Sequence, residues 1–70
     1  MDDIIAVVRE RIREKGMTMR AVAEKAGMPK QNLSASLNGR RRLLATDLIG
    51  LCCVLDITIE DIKEAHRQSE

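Results

Sequence analysis

The chain contains no Phe, Tyr or Trp. Single-stranded nucleic acid is usually gripped by stacking bases on aromatic rings, so that mode is excluded. A base-stacking sheet of the RRM type is excluded for the same reason. The core must therefore be assembled from Leu, Ile, Val, Met and Ala. Cysteine is nearly as scarce, and the only two, Cys52 and Cys53, are adjacent. A bridge between chain neighbours is strained and fits poorly inside a helix. Both are read as reduced thiols, one or both acting as small buried apolar groups, which points to a reducing compartment. With a single His, the ligands for a metal site are missing, and no cofactor is expected. The N-terminal apolar run covers only Ile4 to Val8, behind two acids. That is neither a signal peptide nor a membrane span, so a cytoplasmic location and no membrane partner are expected.

Acidic residues are missing from one stretch. Between Lys25 and Thr46 there are five bases (Lys25, Lys30, Arg40, Arg41, Arg42) and no Asp or Glu. From Asp47 to Glu70 there are six acids and two bases. The net charge is only +1, yet such a dipolar chain can be oriented on a polyanion. Segments of strand period, internal repeats and low-complexity tracts are also lacking. Seventy residues suit one domain near the lower size limit for folding without staples. A single domain over 1–70 is expected, and the initial Met suggests a natural start.

What is present is helical periodicity. Ile4, Ile5, Val8 and Ile12 fall in one sector about 100° wide, which predicts a first helix over residues 2 to 15. Gly16 is suited to a left-handed cap, with Met17 folding back on the helix end. Thr18 is the expected N-cap of a second helix. Met19, Val22, Ala23 and Ala26 share its inner face, and the small alanines allow close approach of another helix. Gly27 can supply the positive φ that ends it. Pro29 fits the first turn of a third helix, which should run to about Asn38 and stop at Gly39. Leu33 and Leu37 face inward, while Gln31 and Ala35 lie opposite with Asn38 beside them. Lys30, Asn32 and Ser34 flank that outer strip. These polar types can hydrogen-bond base edges and phosphates without repelling DNA.

Arg40, Arg41 and Arg42 follow in a loop suited to phosphate contacts. Pairing with the acidic C-terminal third is the alternative. Thr46, followed by Asp47, is expected to open a fourth helix with Leu48, Leu51, Cys52 and Leu55 on its buried face. Gly50 marks a close contact. Thr58 and Asp61 resemble a capping box opening a fifth helix, with Ile59 and Ile62 facing in. His66 has no nucleophile nearby, and neither paired carboxylates nor a phosphate-binding glycine loop occurs, so an enzyme is not expected.

Thr18, Ala23, Gly27, Leu33, Ser34, Leu37, Asn38 and Gly39, then Leu48, Leu51, Leu55, Ile57, Thr58 and Ile62, form a pattern. It resembles the phage repressor and Cro family of helix-turn-helix proteins, also called XRE-type, over roughly residues 8 to 62, with the motif itself at 18–39. The resemblance implies an all-α, five-helix, lambda-repressor-like domain that binds double-stranded DNA as a homodimer. Its second motif helix would enter the major groove. By position it places Lys30, Gln31, Asn32, Ser34 and Ala35 at the bases. Met19, Arg20, Asn38 and the loop Arg40, Arg41, Arg42 fall at phosphates. Family members often carry Gln where Met19 stands, and a large apolar residue where Ser36 stands. Ala35 can only touch a thymine methyl.

The function expected is a transcriptional regulator, a repressor on a pseudo-palindromic operator. Ile49, Cys53, Val54 and Ile57 are the candidate dimer contacts. The alternative is a protein-interaction module of the same fold, antitoxin-like or antirepressor, with a protein partner at the acidic C-terminal face.

Overall fold

Thr18 and Gly27 bracket the helix around which the domain is built. The computed structural model describes residues 2–69, with side chains from 4 to 67; Asp2, Asp3 and the last three residues lie outside the described side chains. It contains α1 (Asp2–Lys15), α2 (Met19–Ala26), α3 (Lys30–Leu37), α4 (Ala45–Leu55) and α5 (Ile59–Ser69), and no strand among the described residues. Helix α1 packs chiefly on α5 and α4, while α2 packs on α4 and α3.

The local signals act as expected at α2. The Thr18 hydroxyl accepts the Ala21 N–H at 3.1 Å, satisfying one of the free donors of the first turn. Gly27 adopts φ 75°, a conformation a Cβ disfavours. The chain then turns so that the Met28 N–H bonds the Ala23 carbonyl at 3.0 Å and the Met28 side chain is buried. A hydrophobic residue just past a left-handed cap commonly folds back in this way. Met17 does so after α1, its N–H on the Ile12 carbonyl.

The same device corrects one expectation. Ile57 follows Asp56, which takes φ 56° at the end of α4. The Ile57 N–H bonds the Cys52 carbonyl at 3.0 Å, and its side chain is buried in the core. It is therefore not available as a dimer contact. Asp56 is held in its left-handed conformation from α1: Lys15 pairs with its carboxylate at 3.0 Å. Arg11 donates to its carbonyl at 2.8 Å.

The other helix starts shift slightly. Pro29 (φ −64°, ψ 141°) caps α3 rather than standing in its first turn. Helix α4 begins at Ala45, so Leu44, not Thr46, occupies its N-cap, and no side chain caps it. Ile59 does not face in; it is 67% exposed. The Asp61, Ile62 and Ala65 face of α5 is the half-buried one, and Ile59 stands at its margin, beside Ile62 but more than 90° from both Asp61 and Ala65 at 3.6 residues per turn.

The core comprises Val8, Ile12, Val22, Ala23, Met28, Leu33, Leu37, Leu43, Leu51, Leu55 and Ile57. Gly50 marks a near contact of α4 with α2. A Cβ there would lie 3.0 Å from the Ala26 carbonyl oxygen, so the two helices meet where both side chains are minimal. Both thiols are free. Burial, and then the neighbouring Cys53, push the Cys52 thiol above its usual value.

One electrostatic clamp ties the two ends of the chain together. The Asp61 carboxylate accepts the Thr58 N–H at 3.0 Å and Arg11 Nη2 at 3.0 Å. The Thr58 hydroxyl accepts the Asp61 N–H in return, which is a capping box with Asp in place of Glu. The Thr58 backbone bond first, and Arg11 second, lower the Asp61 pKa below its ordinary value. A carboxylate held low favours the folded state above its unfolded pKa, and that support is lost as pH falls through the folded pKa. Urea unfolding of wild type and Asp61→Asn should therefore differ at neutral pH. The two should converge on acidification below the ordinary carboxylate range. A difference independent of pH would rule out the charge as the source.

Candidate nucleic-acid interface

Helix α3 carries polar or small side chains and no acid on its outer face. Leu33 and Leu37 are buried, and they fix which way the helix points. Lys30, Gln31, Ser34, Ala35, Asn38 and Arg40 then line one shallow surface groove. Lys30, Gln31, Asn38 and Arg40 are exposed there, while Ser34 and Ala35 are half-buried. Asn38 Nδ2 lies 3.5 Å from Ser34 Oγ, one helical turn apart on the same face. Asn32 is half-buried and does not line this groove. The groove thus unites four of the five residues expected at bases with two of those expected at phosphates.

Helix α2 flanks α3. Arg20 and Lys30 border a second hollow together with Ala23, Glu24 and Met28. Met19 packs partly against the core, and its thioether offers no donor. Its backbone does: the N–H groups of Met19 and Arg20 open α2, where no helical carbonyl can reach them. A helix start of this kind attracts an anion through the backbone, without a side-chain donor.

The arginine loop divides. Arg40 and Arg42 are exposed. Arg41 turns towards α4, with Nη1 3.7 Å from Asp47 Oδ2. Pairing with the acidic third, the alternative raised by the sequence, is therefore the geometry of this one residue. Arg9 is a residue that the sequence pattern does not single out. Its Nη1 donates to the Leu37 carbonyl at 3.0 Å. It lines a cleft with Met19, Ser34 and Asn38 at the junction of α1, α2 and α3. Only its place on the polar side of α1 hints at this, since 28 residues of chain separate the partners.

A capped helix, a glycine turn and a second helix with a polar outer face form a helix-turn-helix, and a family model of that description matches residues 8–62. The chain belongs to the XRE-type, phage repressor/Cro-like helix-turn-helix family. The matched region runs from within α1 to within α5. This helix-turn-helix family is one of DNA-binding transcription regulators. No curated protein and no solved structure matches the chain. Among the described residues, no helix is long and apolar enough to cross a membrane. No group of three or more His, Cys, Asp and Glu able to hold a metal ion occurs there either.

Proposed function

We propose that this helix-turn-helix protein is a transcriptional repressor that binds a pseudo-palindromic duplex operator as a homodimer. The observation that carries the reading is the α3 groove, where Lys30, Gln31, Ser34, Ala35, Asn38 and Arg40 meet on one face. In this reading α3 lies in the major groove and α2 crosses the backbone. Gln31 pairs with adenine, and Lys30 reaches guanine or a phosphate. Ala35 touches a thymine methyl, and Asn32 and Ser34 lie at the edge of the base contacts. The backbone start of α2 at Met19 and Arg20, the Asn38 side chain, and Arg40 and Arg42 hold phosphates.

A domain this small offers little surface for tight specific binding, which favours two copies on a two-fold site. Ile49 and Cys53 are exposed one turn apart on α4, with Ile49 64% exposed and Val54 half-buried nearby. They are the dimer contacts of this proposal.

Selection of bound duplexes from a random library at about 150 mM salt tests it. The expected result is a two-fold motif with half-sites about one helical turn apart. Gln31→Ala should then relax preference at one position per half-site, costing about 1–3 kcal/mol of discrimination there. Failure to enrich any motif would overturn specific readout by α3.

The exposed apolar residues Leu44, Ile49 and Ile59 favour a second reading, in which the same domain docks a protein partner in an antitoxin-like or antirepressor role. Association that persists at high salt, without DNA binding, would select it.

A further inference from the structure

Among the described residues, two buried side-chain polar atoms lack a hydrogen-bond partner, Ser36 Oγ and Arg41 Nη1. Both residues border one cleft, which has a volume of about 290 Å³. Ser36 is only 2% exposed, and a buried polar group without a partner is uncommon enough to need an explanation. Asp47 does not supply it. Its carboxylate lies 3.7 Å from Nη1, beyond hydrogen-bond range.

The chemistry of the cleft is one-sided. Both unpartnered atoms can donate. Arg40 and Arg42 add two more guanidiniums to the lining, Ile5 and Leu43 supply apolar walls, and no acid lines it among the residues whose side chains are described. The C-terminal carbonyls of α3 nearby do not oppose an anion strongly, because their lone pairs are engaged. Ala35 O accepts the N–H groups of Arg40 and Arg41 at 2.9 and 3.3 Å, and Ser36 O accepts that of Gly39 at 3.3 Å. A water would satisfy the hydroxyl but add no charge opposite Arg40 and Arg42, since Asp47, among the described residues, is paired with Arg41 alone. An oxyanion supplies acceptors to both donors and opposes the charge. The volume is at the small end for a ligand site.

We propose that this cleft between the start of α1 and the arginine loop is a binding site for a small free oxyanion. Inorganic phosphate and compact phosphate esters are the class it fits, held by Arg41 Nη1 and Ser36 Oγ. The site does not depend on the DNA-binding reading, and its test needs no DNA.

Sodium phosphate is titrated into the whole chain while backbone amide resonances are followed, with sodium chloride at matched ionic strength as reference. The expected result is saturable shifts at Ser36 and residues 39–43 with phosphate and not with chloride. Ser36→Ala and Arg41→Gln should each weaken binding about tenfold, the loss of one charge-assisted hydrogen bond. Arg67→Gln, at an exposed pair on α5, should leave binding unchanged. Ser36→Ala removes an unpartnered hydroxyl and should stay folded. Shifts that fail to saturate, that chloride reproduces, or that survive both substitutions would overturn the proposal, leaving an ordered water in the cleft and ionic screening. If a DNA duplex shifts these amides and free phosphate does not, the free-anion site is overturned as well, and the cleft belongs to the DNA backbone contact.

Discussion

Leu51→Ala should destabilise the domain by about 3 kcal/mol or more. Leu51 is fully buried in the middle of α4, the helix that both α1 and α2 pack against. Removing its side chain forfeits transfer energy and leaves a cavity whose walls are helices already packed together. The consequence is severe because the total is small. A chain of this length is expected to have roughly 4–10 kcal/mol of stability at typical values per residue. No disulfide is present to compensate, and no aromatic ring occurs anywhere in the chain to fill a void. Urea unfolding should show a marked fall in midpoint with little change in slope. Ile49→Ala, on the exposed face of the same helix, should change stability by less than about 0.5 kcal/mol at concentrations low enough to keep the domain monomeric. Similar destabilisation by the two would mean that α4 does not pack as described.

The second large effect concerns affinity. Arg40→Gln with Arg42→Gln should lower the slope of log affinity against log salt by about two, one unit for each phosphate no longer neutralised. Carried to about 150 mM salt, that slope corresponds to roughly thirtyfold weaker binding. Sequence preference should be unchanged, since phosphate contacts position the protein and base contacts specify the site. Arg41→Gln alone should change the slope much less, because Nη1 is buried beside Asp47. Fluorescence anisotropy on one duplex over a range of salt concentrations separates the two cases. An unchanged slope in the double variant would remove the loop from the DNA interface.

Several features were legible in the sequence because their causes lie within one helical turn. The Thr18 cap needs only the N–H three residues on. The left-handed turn at Gly27 needs only the absence of a Cβ. The inward face of α3 follows from Leu33 and Leu37, spaced one turn apart. Those local rules, with the spacing from Ala23 to Gly27 and on to Asn38 and Gly39, were sufficient to indicate the five-helix fold and the family that the match over 8–62 establishes.

The tertiary structure decided what depends on a partner distant in the chain. Ile57 is buried because the chain turns back at Asp56, where α1 reaches across through Lys15 and Arg11. Its apolar character alone suits a core and an interface equally. Ile59 is exposed because Asp61, Ile62 and Ala65 form the half-buried face of α5, with Asp61 drawn to Arg11 across 50 residues of chain. Three consecutive arginines look alike in sequence, yet Arg41 alone pairs with Asp47 while Arg40 and Arg42 stay exposed. Ser36 stands where the resemblance places a large apolar residue, and it is sealed at 2% exposure; that its hydroxyl is unpartnered is set by the packing around it. Periodicity reports the direction of a side chain relative to its own helix. Which neighbour that direction meets is set by the packing of whole helices, and the caps, charges and cleft of this domain take their partners from there.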